Sequence, residues 1–458
     1  MSAPLAFESQ STWYEAQAER QPVEEPLSGS VETDVCIVGA GLAGLFLAKE
    51  LTERNRSTLI LEARRIGAGA SGRHGGFCSP GWACRGAQIE ERVGLVKAKG
   101  LFDLSREGYQ MVRDVLTTAD VPFTSGILHP STYSNTEGLL RTLERMDKDF
   151  GYQLEFLDSD MVKGLLETPK YYQAWRDPKG FHFDALALCL LLGEALQKQG
   201  VPIYEETLMK QFHQTSSGWE VTTQQGTVRC QQLVFCCGGY GGKEFAKLRT
   251  KFLPITTYVV VTRPLGKKLK QAIRTTDGIS DGRRAGNYYR IVEGDRLLWG
   301  GDITAFGEVD STRISEKMSR DLASVYPQLV DESGSIPIEY SWSGLMGYAE
   351  HMMPEIGPLE KDLWACTSFG GHGVNTAPIG PLEKDLWACT SFGGHGVNTA
   401  PIGARLVAEG LCGASERWRA FEPFGFPWNG GFLGPFAVES SYRKMQFGDH
   451  WRAFRSRW

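Results

Sequence analysis

Apolar positions in this chain gather into short runs that stop on glycine. In "TDVCIVGAGLAGLFLAKELTERNRSTLILEARR", Val35–Val38 is rich in β-branched residues and ends on Gly39. That pattern predicts a strand buried on both faces. Ala43, Leu47 and Leu51 then recur every fourth residue, predicting a helix with one face against a sheet. Thr58–Leu61 predicts a second strand, ending at Glu62. Farther on, "TTYVVVTRPL" and "RLLWGGDITAF" alternate as antiparallel strands do. The longest apolar run, Ala185–Leu196, is too short to span a bilayer and predicts a buried helix. "DLWACTSF" predicts a strand ending in Gly-Gly, and "GGHGVNTAPIGARLVAEGLCG" a loop running into a helix that stops before Gly413. The polar "QPVEEPLSGS" before Val31 reads as a linker. The Trp/Phe/Gly-rich "FEPFGFPWNGGFLGPF" reads as an irregular tail over a domain surface.

Gly39, Gly41 and Gly44 form G-x-G-x-x-G between the first strand and its helix. Gly39 permits a tight turn, Gly41 lets the backbone approach a pyrophosphate, and Gly44 lets helix and strand pack closely. The helix N-terminus offers unpaired N–H groups and partial positive charge to phosphates. Glu62, roughly 20 residues on, is placed to accept hydrogen bonds from ribose hydroxyls. Strand, turn, helix, strand and acid in this order predict dinucleotide binding.

At 458 residues the chain is expected to hold two or three folding units. A net charge of −5 argues against nucleic acid or an anionic membrane as the main partner. The ten cysteines include no C-x-x-C pair and no His/Cys metal spacing, and Cys236 and Cys237 are adjacent, which suggests reduced thiols. No basic-then-apolar segment opens the chain, so a cytoplasmic location without a membrane span is expected.

"LEARRIGAGASGRHGGF" (Leu61–Phe77) resembles the second glycine segment of FAD-dependent amine and amino-acid oxidoreductases of the D-amino-acid oxidase (DAO) type. "LVFCCGGYGG", "NYYRIVEGDRLLWGGD", "WSGLMGYAEHMMPEIG" and "FGGHGVNTAPIGARLVAEGL" extend the likeness, and the last three are most similar to the bacterial γ-glutamylputrescine oxidase-like branch. The resemblance implies an α/β fold, in which a doubly wound, Rossmann-type FAD domain is interleaved with a mainly antiparallel substrate domain. The FAD domain would take 31–100, 180–250 and 355–412, and the substrate domain 101–179 and 251–354. Residues 1–30 would form an N-terminal arm and 413–458 a tail.

By position, the resemblance puts Gly39, Gly41, Leu42, Ala43 and Gly44 at the pyrophosphate and Glu62 at the adenosine ribose. Ala63 and Arg64 would flank the adenine. Ala70, Ser71, Gly72, Gly75 and Gly76 would pass near the ribityl chain and flavin, with Met209 at the adenine edge and Gly238 near the cofactor. Two residues depart from relatives: His74 stands where Asn is usual, and His351 near a usual Asp, which bears on substrate charge preference. The segment Ser341–Met353 lacks a tethering cysteine, implying noncovalent FAD.

The 23-residue stretch "IGPLEKDLWACTSFGGHGVNTAP" occurs twice without change, at Ile356–Pro378 and Ile379–Pro401. One flavin needs one such corner. Only the second copy runs directly into "ARLVAEG", so Gly394, His395, Gly396, Val397 and Asn398 are expected at the flavin, with the first copy extruded. In the family the helix here points at the flavin edge where charge collects on reduction.

The implied reaction is oxidation of the C–N bond of a primary or secondary amine, a γ-glutamylputrescine or polyamine derivative or an amino acid, by hydride transfer to flavin N5. The imine would then be hydrolysed. The electron acceptor would be oxygen, or a quinone or carrier if the protein is a dehydrogenase. A third reading is a flavin-binding protein inactivated by the duplication. Tyr289 and Arg290, beside Tyr288 in "NYYR", are candidates to clamp a substrate carboxylate. Trp342 and Tyr348 are candidates for an aromatic wall. His74 and His395 are the catalytic candidates, and no metal is called for.

Overall fold

The computed structural model describes residues 11–20, 25–241, 246–283, 286–307, 310–360, 363–365, 385–390 and 396–455. Two sheets organise them. Across the first, the strands lie in the order Glu355–Glu360, Asp385–Thr390, Leu363–Ala365, Gly226–Phe235, Gly29–Val38, Thr58–Leu61 and Ile203–Tyr204. Gly29–Val38 is central and pairs in parallel with both of its neighbours. The β-branched run therefore has neighbours on both edges and helices beyond, and Val35, Cys36 and Ile37 are fully buried.

The second sheet runs Ile338–Tyr348, Leu253–Thr262, Arg296–Thr304, Tyr288–Val292, Gly278–Ser280, Phe123–Pro130, Ala174–Phe183 and Phe77–Cys78. Its pairings are antiparallel except between Gly278–Ser280 and Phe123–Pro130. The two sheets meet where Gly239 packs on the backbone at Met346–Gly347 and Leu345 N donates to Tyr240 Oη at 3.0 Å.

Several elements differ from the sequence reading. The helix Leu42–Thr52 is buried around nearly its whole circumference, because the helices Gly86–Thr118, Ala185–Lys198 and Gly396–Leu411 share one core with it. Ahead of the linker, Trp13–Gln17 forms a short helix capped by Thr12, whose Trp13 and Tyr14 are buried. The tail does not stay irregular: Gly434–Arg455 is a 22-residue helix. Both copies of the repeat contribute a strand. Leu363–Ala365 of the first copy pairs in parallel with Leu233–Phe235, so that copy is not wholly extruded. Asp385–Thr390 of the second pairs with Glu355–Glu360. The helix that follows still comes from the second copy.

The eight cysteines with described side chains are free thiols. Among the described residues no helix is long and apolar enough to cross a membrane.

Candidate functional site

The first glycine corner is held by contacts that a side chain would break. Gly39 has φ +111°, and a Cβ there would stand 2.6 Å from Cys236 O. At Gly44 it would stand 2.0 Å from Gly39 O, so the helix can sit this close to the strand only without a side chain. Gly41 faces Ser71, whose Oγ accepts from Leu42 N at 3.0 Å. Ser71 thus satisfies one amide of the helix N-terminus and ties the first glycine segment to the second. The other first-turn amides, including those of Ala43 and Gly44, remain for a ligand. Glu62 closes the corner: Oε2 accepts from Ala40 N at 2.7 Å and Oε1 from Arg64 N at 2.9 Å. Burial pushes its carboxyl up, against those two N–H groups and Arg64, which pull it down. Two bonds leave acceptor capacity on each oxygen.

Ala63 is exposed beside this corner, and the Arg64 guanidinium lies 5.1 Å from the centre of the Tyr240 ring. Met209 is buried in the core behind the corner with Leu59, Leu61 and Phe235. Gly238 begins a short 3-10 turn with φ +55°.

The second glycine segment borders a cavity of about 380 Å³. Ala70, Ser71, His74 and Gly75 line it. A Cβ on Gly72 would meet Gly67 O at 2.4 Å, and one on Gly76, at φ +82°, would meet Phe183 O at 2.0 Å. His74 Nδ1 accepts from Gly76 N at 2.9 Å, which places the ring proton on Nε2. That nitrogen is enclosed without a hydrogen-bond partner. Burial, then the nearby Arg290 charge, lower the His74 pKa to about 4.

The helix Gly396–Leu411 brings Gly396, Val397 and Asn398 to the same cavity. Asn398 Nδ2 donates to Gly81 O at 3.0 Å, fixing that end of the helix. Gly394 and His395 lie outside the described residues.

The rest of the cavity is lined by side chains from separate strands. Asp281 grips Arg283 at two points, with Arg283 Nε 3.0 Å from Oδ2 and Nη2 2.5 Å from the same oxygen. The Asp281 side chain is fully buried while Arg283 keeps 27% of its own exposed. Asp302, at φ +56°, accepts from Tyr442 Oη at 3.3 Å and pairs with Lys317. Tyr288, Tyr348, Asn287 and His129 also line this end, and Met445 of the C-terminal helix joins Tyr442 there.

The expected substrate clamp takes a different form. The Arg290 guanidinium faces away from the cavity: Nε donates to Gly75 O at 2.8 Å, and Nη2 to Phe183 O at 2.9 Å and Tyr14 Oη at 3.1 Å. It braces the second glycine segment from behind. Tyr14 Oη in turn donates to His74 O at 2.9 Å, so the N-terminal helix belongs to the same brace. Tyr289 lies on the other face of its strand, stacked on Trp299 at 4.4 Å and bonded to Tyr171 and Tyr326. Trp342 is fully buried below the cavity, its indole N–H on Arg73 O at 2.8 Å. His351 bonds Gly425 O and Met353 N, and burial lowers it to about 3; it anchors a turn and does not line the cavity.

Sequence reading missed Arg283, Asp281, Asp302, Tyr14 and Tyr442. "SDGRR" held a faint signal, an acid two residues before an arginine; Tyr442 had none, since the tail helix was not foreseen.

A largely parallel sheet carrying a glycine corner meets a mainly antiparallel sheet at a cavity, an arrangement suited to a protein that holds a dinucleotide beside a second ligand. The sequence model of DAO, FAD dependent oxidoreductase, matches residues 34–381, and the chain belongs to this family. The chain is 28% identical to the γ-glutamylputrescine oxidoreductase of Escherichia coli over 90% of its own length and 92% of that protein. It is 26% identical to the probable oxidoreductase OrdL of Haemophilus influenzae, covering 93% and 94%. Among solved structures it resembles glycine oxidase from Geobacillus kaustophilus, with a TM-score of 0.65, 19% identity and coverage of 86% and 98%. L-proline dehydrogenase from P. horikoshii gives a TM-score of 0.65 at 17% identity, covering 88% and 100%. These likenesses fit the α/β, doubly wound fold, and the cofactor is FAD. The corner fits its diphosphate: Gly39 and Gly44 let strand, turn and helix close up, and the first-turn amides of Ala43 and Gly44 stand at the helix N-terminus without an intrahelical acceptor.

Proposed function

We propose that this flavoprotein oxidises the C–N bond of a primary or secondary amine whose far end carries a carboxylate. The observation that carries the reading is the shared cavity, bordered on one side by the glycine segments and the Gly396–Leu411 N-terminus and on the other by Arg283. Noncovalent FAD, when bound, supplies the two-electron acceptor for the hydride leaving the α-carbon.

The protein's own residues then divide the work. Gly39, Gly41 and Gly44 hold the pyrophosphate, and Glu62 the ribose. Arg283, oriented by Asp281, takes the substrate carboxylate with the part of its fork that Asp281 leaves open. Tyr288 and Tyr348 flank the alkyl chain. His74, with a pKa near 4, stays neutral at working pH and does not repel an amine. The α-carbon loses hydride and the nitrogen a proton, leaving an imine. Water adds to that imine and expels the amine or ammonia, giving an aldehyde or a keto acid.

γ-Glutamylputrescine has a primary amine at one end and a carboxylate at the other, which makes it the first candidate. The test is anaerobic mixing of the purified holoprotein with γ-glutamylputrescine, putrescine and glycine, followed at the flavin absorbance. Bleaching by the first at the lowest concentration supports the reading; no bleaching by any amine overturns it. Peroxide formed on admitting air distinguishes an oxidase from a dehydrogenase.

A further inference from the structure

The C-terminal helix Gly434–Arg455 carries apolar groups on two faces. Val438 and Tyr442 are buried against the body of the protein, and Tyr442 and Met445 reach the cavity. On the opposite side Phe436, Phe447, Trp451 and Phe454 are 60%, 72%, 52% and 56% exposed. At 100° per residue these four fall within an arc of about 60°, forming a stripe about 27 Å long. Phe306 extends it, its ring 4.9 Å from Phe436, and Trp428, Phe432 and Leu433 lead into it, all exposed.

Charge around the stripe is one-sided. Arg443, with 75% of its side chain exposed, and Lys444 face water beside the stripe, while Arg452 lies on the far side of the helix, paired with Asp449 and over the Tyr133 ring. The two acids of the helix are withdrawn: Glu439 is engaged by Thr304 and Arg443, and Asp449 is buried. Arg443 and Lys444 thus give the aromatic stripe a positive edge on a chain whose net charge is −5. Whole-chain charge, which argued against an anionic membrane, averages this patch away.

We propose that this helix docks the protein on an anionic lipid surface, lying in the interfacial plane with its aromatic stripe among the acyl chains. A straight stripe on a convex helix fits a flat, deformable surface. Phe and Trp flanked by Arg and Lys is the composition that such surfaces hold, through buried apolar area and attraction to acidic headgroups. A second copy of the chain is a poorer occupant, because a two-fold interface would set the same cations against each other. Docking would bring a wall of the catalytic cavity to the membrane, since Tyr442 and Met445 stand on the same helix.

The test is co-sedimentation of the holoprotein with phosphatidylcholine vesicles, with and without phosphatidylglycerol, for the wild type, F447E/W451E and R443E/K444E. Wild type should pellet with the anionic vesicles, about tenfold less with neutral ones, and less as salt is raised. Both variants should lose about tenfold in bound fraction while keeping the flavin spectrum and turnover of a soluble substrate. Wild type that stays in the supernatant overturns the proposal, as do variants that pellet equally. So does a wild-type dimer that F447E/W451E makes monomeric without any vesicle binding.

Discussion

One wall of the cavity is shaped by a glycine-held backbone behind it, and the other by side chains drawn from separate strands. The glycine wall is built behind the cavity lining: Gly39, Gly41, Gly44, Gly72 and Gly76 are each pressed against another backbone atom or Ser71, while Leu42, Ala70, Ser71, His74, Gly75 and the N-terminus of Gly396–Leu411 line the cavity itself. The side-chain wall takes Asp281, Arg283, Asn287, Asp302 and Tyr442 from three strand regions and the tail helix. A backbone wall offers N–H groups and close approach, which suit a diphosphate whatever the substrate. A side-chain wall can be exchanged residue by residue, and on the proposed function it is there that substrate choice would be set.

The sharpest way to break the glycine wall is Gly76→Ala. Its φ of +82° and the 2.0 Å approach to Phe183 O combine strain with overlap. We expect a cost of about 3 kcal/mol or more and loss of bound flavin, read as the flavin-to-protein absorbance ratio and Tm.

Acid should also reach the glycine wall first. His74 and His182, both beside the Arg290 charge, are lowered to about 4, and His351 to about 3, from an ordinary 6.5. Each binds its proton more readily when unfolded. The stability they contribute is therefore complete above about pH 6.5 and is lost as pH falls toward 4, on the order of 1–3 kcal/mol each. Thermal melts from pH 8 to pH 4 should show falling Tm with flavin release.

On the side-chain wall, Arg283→Gln should leave flavin content unchanged. It should raise KM for a carboxylate-bearing amine about tenfold to a hundredfold, the worth of a charged hydrogen-bonded pair. Smallest of the four, Tyr442→Phe removes one bond to Asp302, and should cost under about 1 kcal/mol in stability and move KM less than about threefold.

The same division explains what the sequence disclosed. Glycine spacing encodes backbone approach directly, so the corner from Val35 to Glu62, the family and the cofactor were legible from residues close together in the chain. The cavity's polar end comes from strands far apart in sequence and from a helix hidden behind a glycine-rich tail, so no local pattern announced it. "NYYR" misled for a physical reason: alternation puts Tyr288 and Arg290 on one face and Tyr289 on the other, and Arg290 lies under the glycine segment, where carbonyl groups engage its donors. Trp342 shares a face with Gly344, Met346 and Tyr348 but lies beyond the cavity's end. The repeat was legible as a repeat. That both copies would take places in the same sheet was not, because identical sequences carry identical strand propensity and nothing local says whether the sheet has room for both.

The central claim is that the glycine wall holds FAD while the side-chain wall selects an amine bearing a carboxylate. Anaerobic titration of the purified holoprotein with γ-glutamylputrescine and with putrescine, followed at the flavin band, tests it most directly. The account predicts a yellow protein that bleaches with both and requires at least about tenfold less of the carboxylate-bearing amine. A colourless preparation that takes up no FAD, or bleaching at equal concentrations of the two amines, would contradict it.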